Sequence, residues 1–274
     1  MGTLYVIGTP IGNLEDISFR AVRVLREVGH IAAEDTRTTR KLLSRHGVQT
    51  PLVSFHEHTA PQKRATLVQR LDTEDMALVT DAGTPGVSDP GAALVADALA
   101  AGHDVVPIPG PSAVATALSV AALPADTYVF VGFLPRRGSD RRTELASLAA
   151  ERRTLVAFEA PHRLRESLRD MADVLGDRQM AVGRELTKSH EQVFRGSLGE
   201  AIAHWSEVEP RGEFTLVVAG APESSPEPWT ADEVASALEE LREEGVSARE
   251  ASRRIAEMSG LPAREIYRLW HEGG

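Results

Sequence analysis

Thr80-Asp81-Ala82-Gly83-Thr84-Pro85-Gly86-Val87-Ser88-Asp89-Pro90-Gly91 is the stretch of sequence that decides the fold. It follows the apolar run Met76–Val79 and precedes an apolar, helix-like run at residues 92–101. Its glycines and prolines bend the backbone sharply and let a ligand approach closely. Open α/β sheets bind ligands at this position, outside the carboxyl ends of the strands. A long, rigid connection without a ligand is the alternative interpretation.

The chain around this central loop alternates between strand-like and helix-like segments. Apolar runs at residues 4–7, 30–33, 52–55, 76–79 and 104–108 are each followed by an amphipathic segment. This alternation predicts a largely parallel sheet with helices on both faces. Glycine- or proline-rich turns at residues 8–14, 80–91 and 109–112 each leave a strand and enter a helix. We therefore expect them along one edge of the sheet, around a shared cleft.

A second α/β unit begins after residue 122. Strands are predicted at residues 128–134, 154–158, 179–183 and 214–219, with a polar basic loop at residues 136–142 and a helix at residues 143–150. The fold class is therefore α/β. We expect an N-terminal domain at residues 1–122 and a second domain at residues 123–222.

Residues 223–274 differ in composition and contain twelve acidic residues against six arginines. The run Ser224-Ser225-Pro226-Glu227-Pro228 predicts a linker. Three helices are predicted beyond it, at residues 230–244, 247–259 and 262–272, and Ser247 with Glu250 has the spacing of a capping box. The offsets are typical of a helix-turn-helix module. A simple helical cap is equally compatible with them, and the acidic first helix argues against reading of duplex DNA.

Composition narrows the class of protein. The chain has 274 residues, 42% of them hydrophobic, and no cysteine, which excludes disulfides, thiolate metal sites and cysteine nucleophiles. No apolar run reaches the roughly 18 residues that span a bilayer, and the amino terminus lacks the features of a signal peptide. We therefore expect a soluble, cytoplasmic protein that does not bind membranes.

The net charge of −10 argues against a generally basic nucleic-acid binder. Local basic clusters near residues 37–45 and 136–142 can still contact phosphates. The alternative for either cluster is an ordinary solvated surface.

Several familiar catalytic signatures are absent from the sequence. Residues 8–12 are not the G-x-G-x-x-G of a dinucleotide fold, and the chain has no Walker-A, His-Glu-x-x-His or G-x-S-x-G sequence. No metal site is expected. The central loop carries Asp81 and Asp89 and no lysine, which favours a cationic or neutral ligand over a polyphosphate.

An ordered set of segments resembles a known family. The set comprises residues 8–17, 32–37, 81–91 and 109–113, then Gly132-Phe133-Leu134-Pro135, residues 159–163 and residues 184–188. In this order it resembles the tetrapyrrole methylase superfamily and, within it, the ribosomal RNA small-subunit methyltransferase I family. The family often has serine where this chain has Ala160, so no role is expected here for that hydroxyl.

The resemblance implies two α/β domains that bind S-adenosylmethionine between them, a C-terminal helical extension and a homodimer. It implies methylation of the ribose 2′-hydroxyl of a cytidine in small-subunit (16S) ribosomal RNA, either naked or in the assembled subunit. The cofactor residues that it suggests are Pro10, Ile11, Gly12, Asp81, Gly83, Thr84, Val87, Ser112, Ala113, Phe158 and Thr215.

A ribose hydroxyl is a weak acid, so a nearby base or hydrogen-bond acceptor is expected. The catalytic candidates are Glu159, His162, Arg184, Glu185 and Lys188, and Glu159 is the leading one. Structural alternatives are an ion pair between Glu159 and Arg184, and capping of the next helix by His162. Predicted phosphate contacts are Arg37, Arg40, Arg136, Arg137, Arg141 and Arg142.

Two other functions stay open at this point. One is a methylase that acts on a tetrapyrrole carbon, against which the arginine loop, the helical tail and residues 32–37 argue. The other is a ribosome-associated assembly factor without catalytic activity, which the joint presence of Glu159, His162, Arg184 and Lys188 disfavours.

Overall fold

Two five-stranded sheets account for the strands in the part of the chain that the computed structural model describes, residues 1–222 and 229–272. The described chain divides into two compact units, Met1–Gly220 and Ala221–Gly274. Both sheets belong to the first unit. The predicted linker at residues 224–228 lies outside the described residues.

The first sheet is parallel throughout. Its strands are β1 (Thr3–Ile7), β2 (His30–Ala33), β3 (Leu52–Ser54), β4 (Met76–Val79) and β5 (Asp104–Ile108), in the order β3-β2-β4-β1-β5. The intervening helices are α1 (Phe19–Glu27), α2 (Thr36–Arg45), α3 (Pro61–Arg70) and α4 (Ala92–Ala100).

Successive side chains of the central strand β4 enter two different cores. Ala77 and Val79 belong to the core that contains residues of α1 and α2, whereas Met76 and Leu78 belong to the core that contains residues of α3 and α4. A strand buried on both faces in this way reads as a continuous apolar run. The predicted parallel sheet with helices on both faces is confirmed.

The second sheet is mixed. Its strands are β6 (Tyr128–Phe133), β7 (Thr154–Glu159), β8 (Gln179–Arg184), β9 (Gln192–Ser197) and β10 (Phe214–Val218), in the order β6-β7-β10-β8-β9. Strands β6 and β7 are parallel, and the other neighbours are antiparallel. The accompanying helices are α5 (Ala113–Val120), α6 (Gly138–Ser147), α7 (Leu164–Leu175) and α8 (Leu198–Glu207).

Helix α5 joins the two halves of the first unit. It leaves the first sheet, yet its buried residues Val114 and Leu118 share a core with Val156 and Val217 of the second sheet. Helices α6, α7 and α8 contribute to the other core of that sheet. The domain boundary predicted at residues 122–123 therefore lies after a helix that packs on the second sheet. The division of residues 1–222 into two domains at this point stays a prediction.

Two elements of the second half were not expected from the sequence. Strand β9 is an edge strand with polar residues and pairs only with β8 in the described chain, so it lacks the apolar run of a buried strand. Helix α8 begins with a capping box between Ser197 and Glu200, which is the sequence signal that could have revealed it.

The predicted basic loop at residues 136–142 is wrong in part. Helix α6 already begins at Gly138, so Arg141 and Arg142 are helical and only Arg136 and Arg137 precede the helix. Arg141 is 2% exposed and its guanidinium pairs with Asp170 of α7. Formation of this buried pair across the two helices explains why the helix starts five residues earlier than its apolar pattern suggested.

The second unit contains the three predicted helices, α9 (Ala231–Glu243), α10 (Ala248–Ser259) and α11 (Ala263–Glu272). Val234, Leu238, Ile255 and Ile266 form its core. Ser247 caps α10 by accepting from the Glu250 backbone N–H, but the Glu250 carboxylate pairs with arginines rather than closing the predicted capping box. No helix of the described chain is long and apolar enough to cross a bilayer.

Candidate active site

Three loops at the carboxyl edge of the first sheet are tied to one another. Thr9 and Gly83 exchange both backbone hydrogen bonds, at 2.8 and 3.1 Å, and so join the loop after β1 to the central loop. The backbones of Gly8 and Gly110 also lie in contact. They are so close that a Cβ added to Gly110 would be 2.5 Å from the Gly8 carbonyl oxygen. These approaches bring the three glycine- or proline-rich turns around one cleft, as the sequence predicted.

A cavity of about 430 Å³ lies between these loops and the ends of strands from the second sheet. Its volume is in the range of small-molecule sites, and apolar and polar groups both line it. Eight of the predicted cofactor residues line this cavity: Ile11, Gly83, Thr84, Val87, Ser112, Ala113, Phe158 and Thr215.

The other three predicted cofactor residues lie outside the cavity lining. Pro10 is buried and does not line the cavity. Gly12 packs against the loop after β8, where a Cβ would lie 2.5 Å from Lys188 Cγ. The exposed Asp81 carboxylate accepts a hydrogen bond from the Asp35 backbone N–H at 3.1 Å. Their prediction as direct contacts has no support from the geometry.

Several lining residues were missing from the predicted set, among them Ser88, Asp89, Phe133 and Glu213. Burial raises the pKa of Asp89 to about 6, with a further increase from the negative charge of Glu34, against a hydrogen bond from Thr80. Asp89 lies in the central loop itself, so its position was available from the sequence. What the sequence could not provide was the direction of its side chain.

Acidic residues surround the central loop on the side of α2. Burial raises the pKa of Glu34 and of Asp81, and each is raised further by neighbouring carboxylates. Asp35 differs, because hydrogen bonds from the Arg37 side chain and backbone lower its pKa to about 2. Asp35 is also the N-cap of α2. The central loop is therefore electronegative on this side, and Asp89 is the carboxylate of this group that lines the cavity, which suits a cationic ligand.

Glu159 lines the cavity at the end of β7, and its carboxylate is fully out of solvent. One oxygen, Oε1, accepts from the Ala160 backbone N–H at 2.7 Å and pairs with the Arg163 guanidinium at 2.6 Å. The other, Oε2, accepts from the Ser167 hydroxyl at 2.5 Å. The ion pair considered with Arg184 is therefore wrong, because Arg163 occupies that place.

The remaining catalytic candidates lie outside the cavity lining. His162 is exposed, and helix α7 has no side-chain cap, so the predicted capping by His162 is wrong. The Arg184 guanidinium donates to the Arg211 carbonyl at 2.8 Å.

Glu185 and Lys188 pair with each other near a second, open cavity of about 660 Å³ beside Gly12. Lys188 Nζ lies 2.9 Å from both Glu185 Oε1 and Glu213 Oε2. Burial opposes the charge of Lys188, but these two carboxylates outweigh it and raise the pKa of the amine. The same pairing, against the effect of burial, lowers the pKa of Glu185.

The loop that contains this pair has an unusual backbone. Glu185 and Thr187 have φ values of 49° and 67°, in the left-handed region that non-glycine residues rarely adopt. Thr187 Oγ1 accepts from the Asn13 backbone N–H at 3.1 Å, which ties this loop to the one after β1. Strain of this kind persists where the surrounding structure imposes it, often at functional sites.

The predicted phosphate-binding arginines fall into different classes. Arg37 and Arg40 on α2 and Arg136 and Arg137 before α6 are exposed. Arg37 is nevertheless paired with Asp35 at 2.7 Å.

Arg141 and Arg142 are different, since both pair with Asp170. Arg141 is buried, at 2.6 Å from a carboxylate oxygen, and cannot reach a phosphate, which corrects its prediction. Arg142 is half exposed at 3.1 Å from the other oxygen.

No group of three or more His, Cys, Asp or Glu side chains in the described ranges is arranged to hold a metal ion.

Comparison with known proteins identifies relatives of this chain. The family model described as Tetrapyrrole (Corrin/Porphyrin) Methylases matches residues 3–202. A protein of Halalkalibacterium halodurans named "Ribosomal RNA small subunit methyltransferase I" is 44% identical over 276 residues, which cover 99% of this chain and 95% of the relative.

A relative of the same name from Thermotoga maritima is 45% identical over 221 residues, which cover 80% of this chain and 99% of the relative. The fold is similar to the crystal structure titled "Native Form of Uroporphyrin III C-methyl transferase from Thermus thermophilus". The TM-score is 0.58 at 19% identity, with coverage of 80% of this chain and 97% of that one.

Proposed function

Since this chain belongs to the tetrapyrrole methylase family and, within it, to the ribosomal RNA small subunit methyltransferase I family, we propose that it methylates a cytidine of small-subunit ribosomal RNA on the ribose 2′-hydroxyl. It is an S-adenosylmethionine-dependent rRNA methyltransferase. The single observation that carries this proposal is the likeness over almost the full length to relatives of that name.

The cavity fits S-adenosylmethionine in size and chemistry. Glycine-bounded loops let the backbone approach a ligand, and Ile11, Val87 and Phe158 offer apolar surface. Asp89 adds a carboxylate with a pKa of about 6, which is largely ionised at neutral pH. We assign it to the positive charge of the cofactor, since an adjacent cation stabilises a carboxylate that burial has destabilised.

When bound, S-adenosylmethionine supplies a methyl group that is already electrophilic, so the protein mainly has to position the attacking oxygen. Positioning alone can contribute about 7–11 kcal/mol in well-oriented systems. A carboxylate that already accepts two hydrogen bonds and forms an ion pair is poorly placed to take a proton. We therefore propose that Glu159 orients the cavity wall and the hydroxyl, rather than acting as the base.

Arg184, Glu185 and Lys188 are proposed to hold the end of β8 and the loop after it rigid beside the cavity. Lys188 is held between Glu185 and Glu213, and Arg184 is fixed on the Arg211 carbonyl. His162 is exposed and free to meet RNA.

The RNA is proposed to reach the cavity as an unpaired strand, because a ribose hydroxyl inside a duplex cannot enter a closed cleft. Arg40, Arg136 and Arg137 are exposed and are assigned to phosphates, with Arg37 in a lesser role because Asp35 neutralises it. A homodimer and a cytoplasmic location complete the proposal, and both rest on the family alone.

Transfer of radiolabelled methyl from S-adenosylmethionine tests this function. The acceptors are small ribosomal subunits without the modification, naked small-subunit RNA and a tetrapyrrole precursor. We expect label on the ribose of a cytidine in one of the two RNA substrates. Label on the tetrapyrrole, or on no acceptor despite measurable cofactor binding, would replace the proposal with one of the two alternatives.

A further inference from the structure

An exposed phenylalanine stands at the rim of the cavity. Phe133, the last residue of β6, lines the cavity and is 55% exposed. A phenylalanine ring is stabilised by burial, and one that is half exposed at the edge of a ligand site leaves an apolar surface available for contact with a ligand.

The strand is built to put the ring there. Phe130 pairs with Val156, but Gly132 pairs with Ala157 and Phe133 with Phe158, so Val131 is an extra residue in β6. Side chains alternate along a regular strand, and residues 130 and 133 would then point to opposite faces. The bulge places both rings on the same face, against Phe158, as bulges beside active sites commonly redirect a side chain.

Glycine makes this bulge possible. Gly132 has a φ of +70°, and a Cβ there would lie 3.0 Å from the hydroxyl of Ser88 in the central loop. The bulge is therefore fitted directly against the loop that shapes the cavity. Ser88 itself has a φ of 60°, so both sides of this contact adopt rare backbone conformations.

The rings form a short aromatic series. Phe158 lies between Phe130 and Phe133, with centroid distances of 5.0 and 5.5 Å and edge-to-face angles of 67° and 62°. Phe130 and Phe158 are half-buried and anchor the series, while the outer surface of Phe133 is open. Unpaired bases are recognised by stacking on such aromatic surfaces.

Cations lie close in sequence to this ring. Arg136 and Arg137 follow Phe133 by three and four residues and are exposed. An aromatic surface next to arginines is the combination that binds single-stranded nucleic acid, with bases on the ring and phosphates on the cations.

We propose that Phe133 is the stacking platform for the nucleobase of the nucleotide whose ribose is methylated. This inference rests on the proposed function and adds the residue that holds the base at the cavity mouth. Stacking needs the flat π surface, so tyrosine or tryptophan can replace Phe133, whereas leucine of similar apolar size cannot.

The test compares F133Y, F133W, F133L and F133A in the full-length protein, with Y128L as the matched control. Tyr128 is 44% exposed at the other end of the same edge strand. Methyl transfer to unmodified small ribosomal subunits gives kcat and KM, and calorimetry gives the Kd for S-adenosylmethionine. We expect F133Y, F133W and Y128L to stay within about twofold of wild type. F133L and F133A lose about tenfold or more in kcat/KM, with the cofactor Kd unchanged.

A second measurement does not depend on activity. Stacking of a base on the indole of F133W should quench its fluorescence when a single-stranded RNA containing cytidine is added, beyond any change in wild type. The proposal is overturned if F133L equals wild type, if the cofactor Kd rises in step with the loss, or if Y128L loses as much. It is also overturned if light scattering traces the loss to a changed oligomeric state. Failure of the proposed function would look different, because wild type itself would then leave RNA ribose unlabelled.

Discussion

Glu159 and Arg163 form an ion pair of 2.6 Å at the wall of the cavity, with side chains 0% and 12% exposed. The Arg163 guanidinium also donates to the Leu134 carbonyl at 3.0 Å, so the pair joins the end of β7 to the segment that follows β6. The carboxylate that the sequence presented as the leading candidate to orient or deprotonate the hydroxyl is thus a structural centre of the site. Its removal affects the fold and the reaction together, and an informative variant must separate them.

Glu159→Ala leaves the Arg163 charge without its buried partner. Loss of one member of a buried pair typically costs about 3–5 kcal/mol, so we expect a large drop in the free energy of unfolding along with lost methyl transfer. Glu159→Gln keeps the shape and part of the hydrogen bonding, and we expect a loss of about 1–2 kcal/mol. Denaturant unfolding and methyl-transfer rates measured on both variants check this.

The glutamine variant decides between the two roles of Glu159. If it orients the cavity wall, Glu159→Gln retains methyl transfer within about tenfold. A stable Glu159→Gln protein that binds cofactor normally and has lost activity by 10²-fold or more would instead make Glu159 the base, in line with the contribution of general bases.

The sequence predicted the first sheet well because its strands are buried on both faces. Runs such as Met76–Val79 are entirely apolar, and the turns that follow them are marked by glycine and proline. Strand β9 lies at an edge and carries polar side chains, so the same rule missed it. Periodicity detects burial, and elements that are only half-buried escape it.

Side-chain partners were harder to predict than the backbone. An arginine-rich run does not show that Arg141 is buried against Asp170, which is 29 residues away in sequence. Nor does a strand pattern show that one extra residue turns Phe133 toward the cavity. The partner of Glu159 is nearer in sequence, since Arg163 follows it by four residues. Choosing Arg163 over Arg184 nevertheless required knowledge of the conformation of the turn after β7.

The pH dependence of stability should report on Asp89. Its pKa is 3.8 in the unfolded chain and about 6 in the folded protein, so the folded state binds more protons between these values. Stability attributable to this group is therefore lost as the pH rises through that window. We expect Asp89→Asn to melt at a higher temperature than wild type at pH 7.5 and to lose this advantage below about pH 4.

Cofactor binding by the same variant should change in the opposite direction. If the Asp89 carboxylate faces the positive charge of S-adenosylmethionine, Asp89→Asn binds it more weakly, by about tenfold. Wild-type affinity should also fall as the pH drops below 6, and the variant should lack this fall. Calorimetry between pH 5 and 8 measures both, and an unchanged Kd across the series would remove Asp89 from the cofactor site.

Charge reversal distinguishes the exposed arginines from the buried one. Arg136→Glu with Arg137→Glu should weaken binding to small-subunit RNA while leaving cofactor affinity and melting temperature unchanged. The slope of log K against log salt should become shallower by about 0.7 for each lost phosphate contact with a single strand.

Arg141→Ala serves as the contrast, because it leaves Asp170 buried and half-paired. We expect a loss of about 3–5 kcal/mol in stability and no change in the salt slope of the folded protein. An Arg136/Arg137 variant with unaltered RNA affinity would show that these side chains form an ordinary solvated surface.

Close approach of two turns is what shapes the cavity, and Gly110 tests it. A Cβ at this position would lie 2.5 Å from the Gly8 carbonyl oxygen, which is backbone and cannot rotate away. Gly110→Ala must therefore push the turn after β5 away from the turn after β1. The cavity-lining Ser112 and Ala113, which follow directly, move with it. We expect cofactor affinity to fall by at least tenfold and stability to fall by about 1–3 kcal/mol, the usual cost of overpacking.

Gly199→Ala is the matched control, since it makes the same chemical change in the first turn of α8. A Cβ there would be 3.4 Å from Asp177 Oδ1 at the nearest, and the backbone is already helical. Alanine in a helix is favoured over glycine by about 0.5–1 kcal/mol, so this variant should be as stable as wild type or slightly more so, with unchanged cofactor Kd. If both variants bind S-adenosylmethionine equally well, the contact between the two turns does not shape the cofactor site. The assignment of this cavity as the cofactor site would then be wrong.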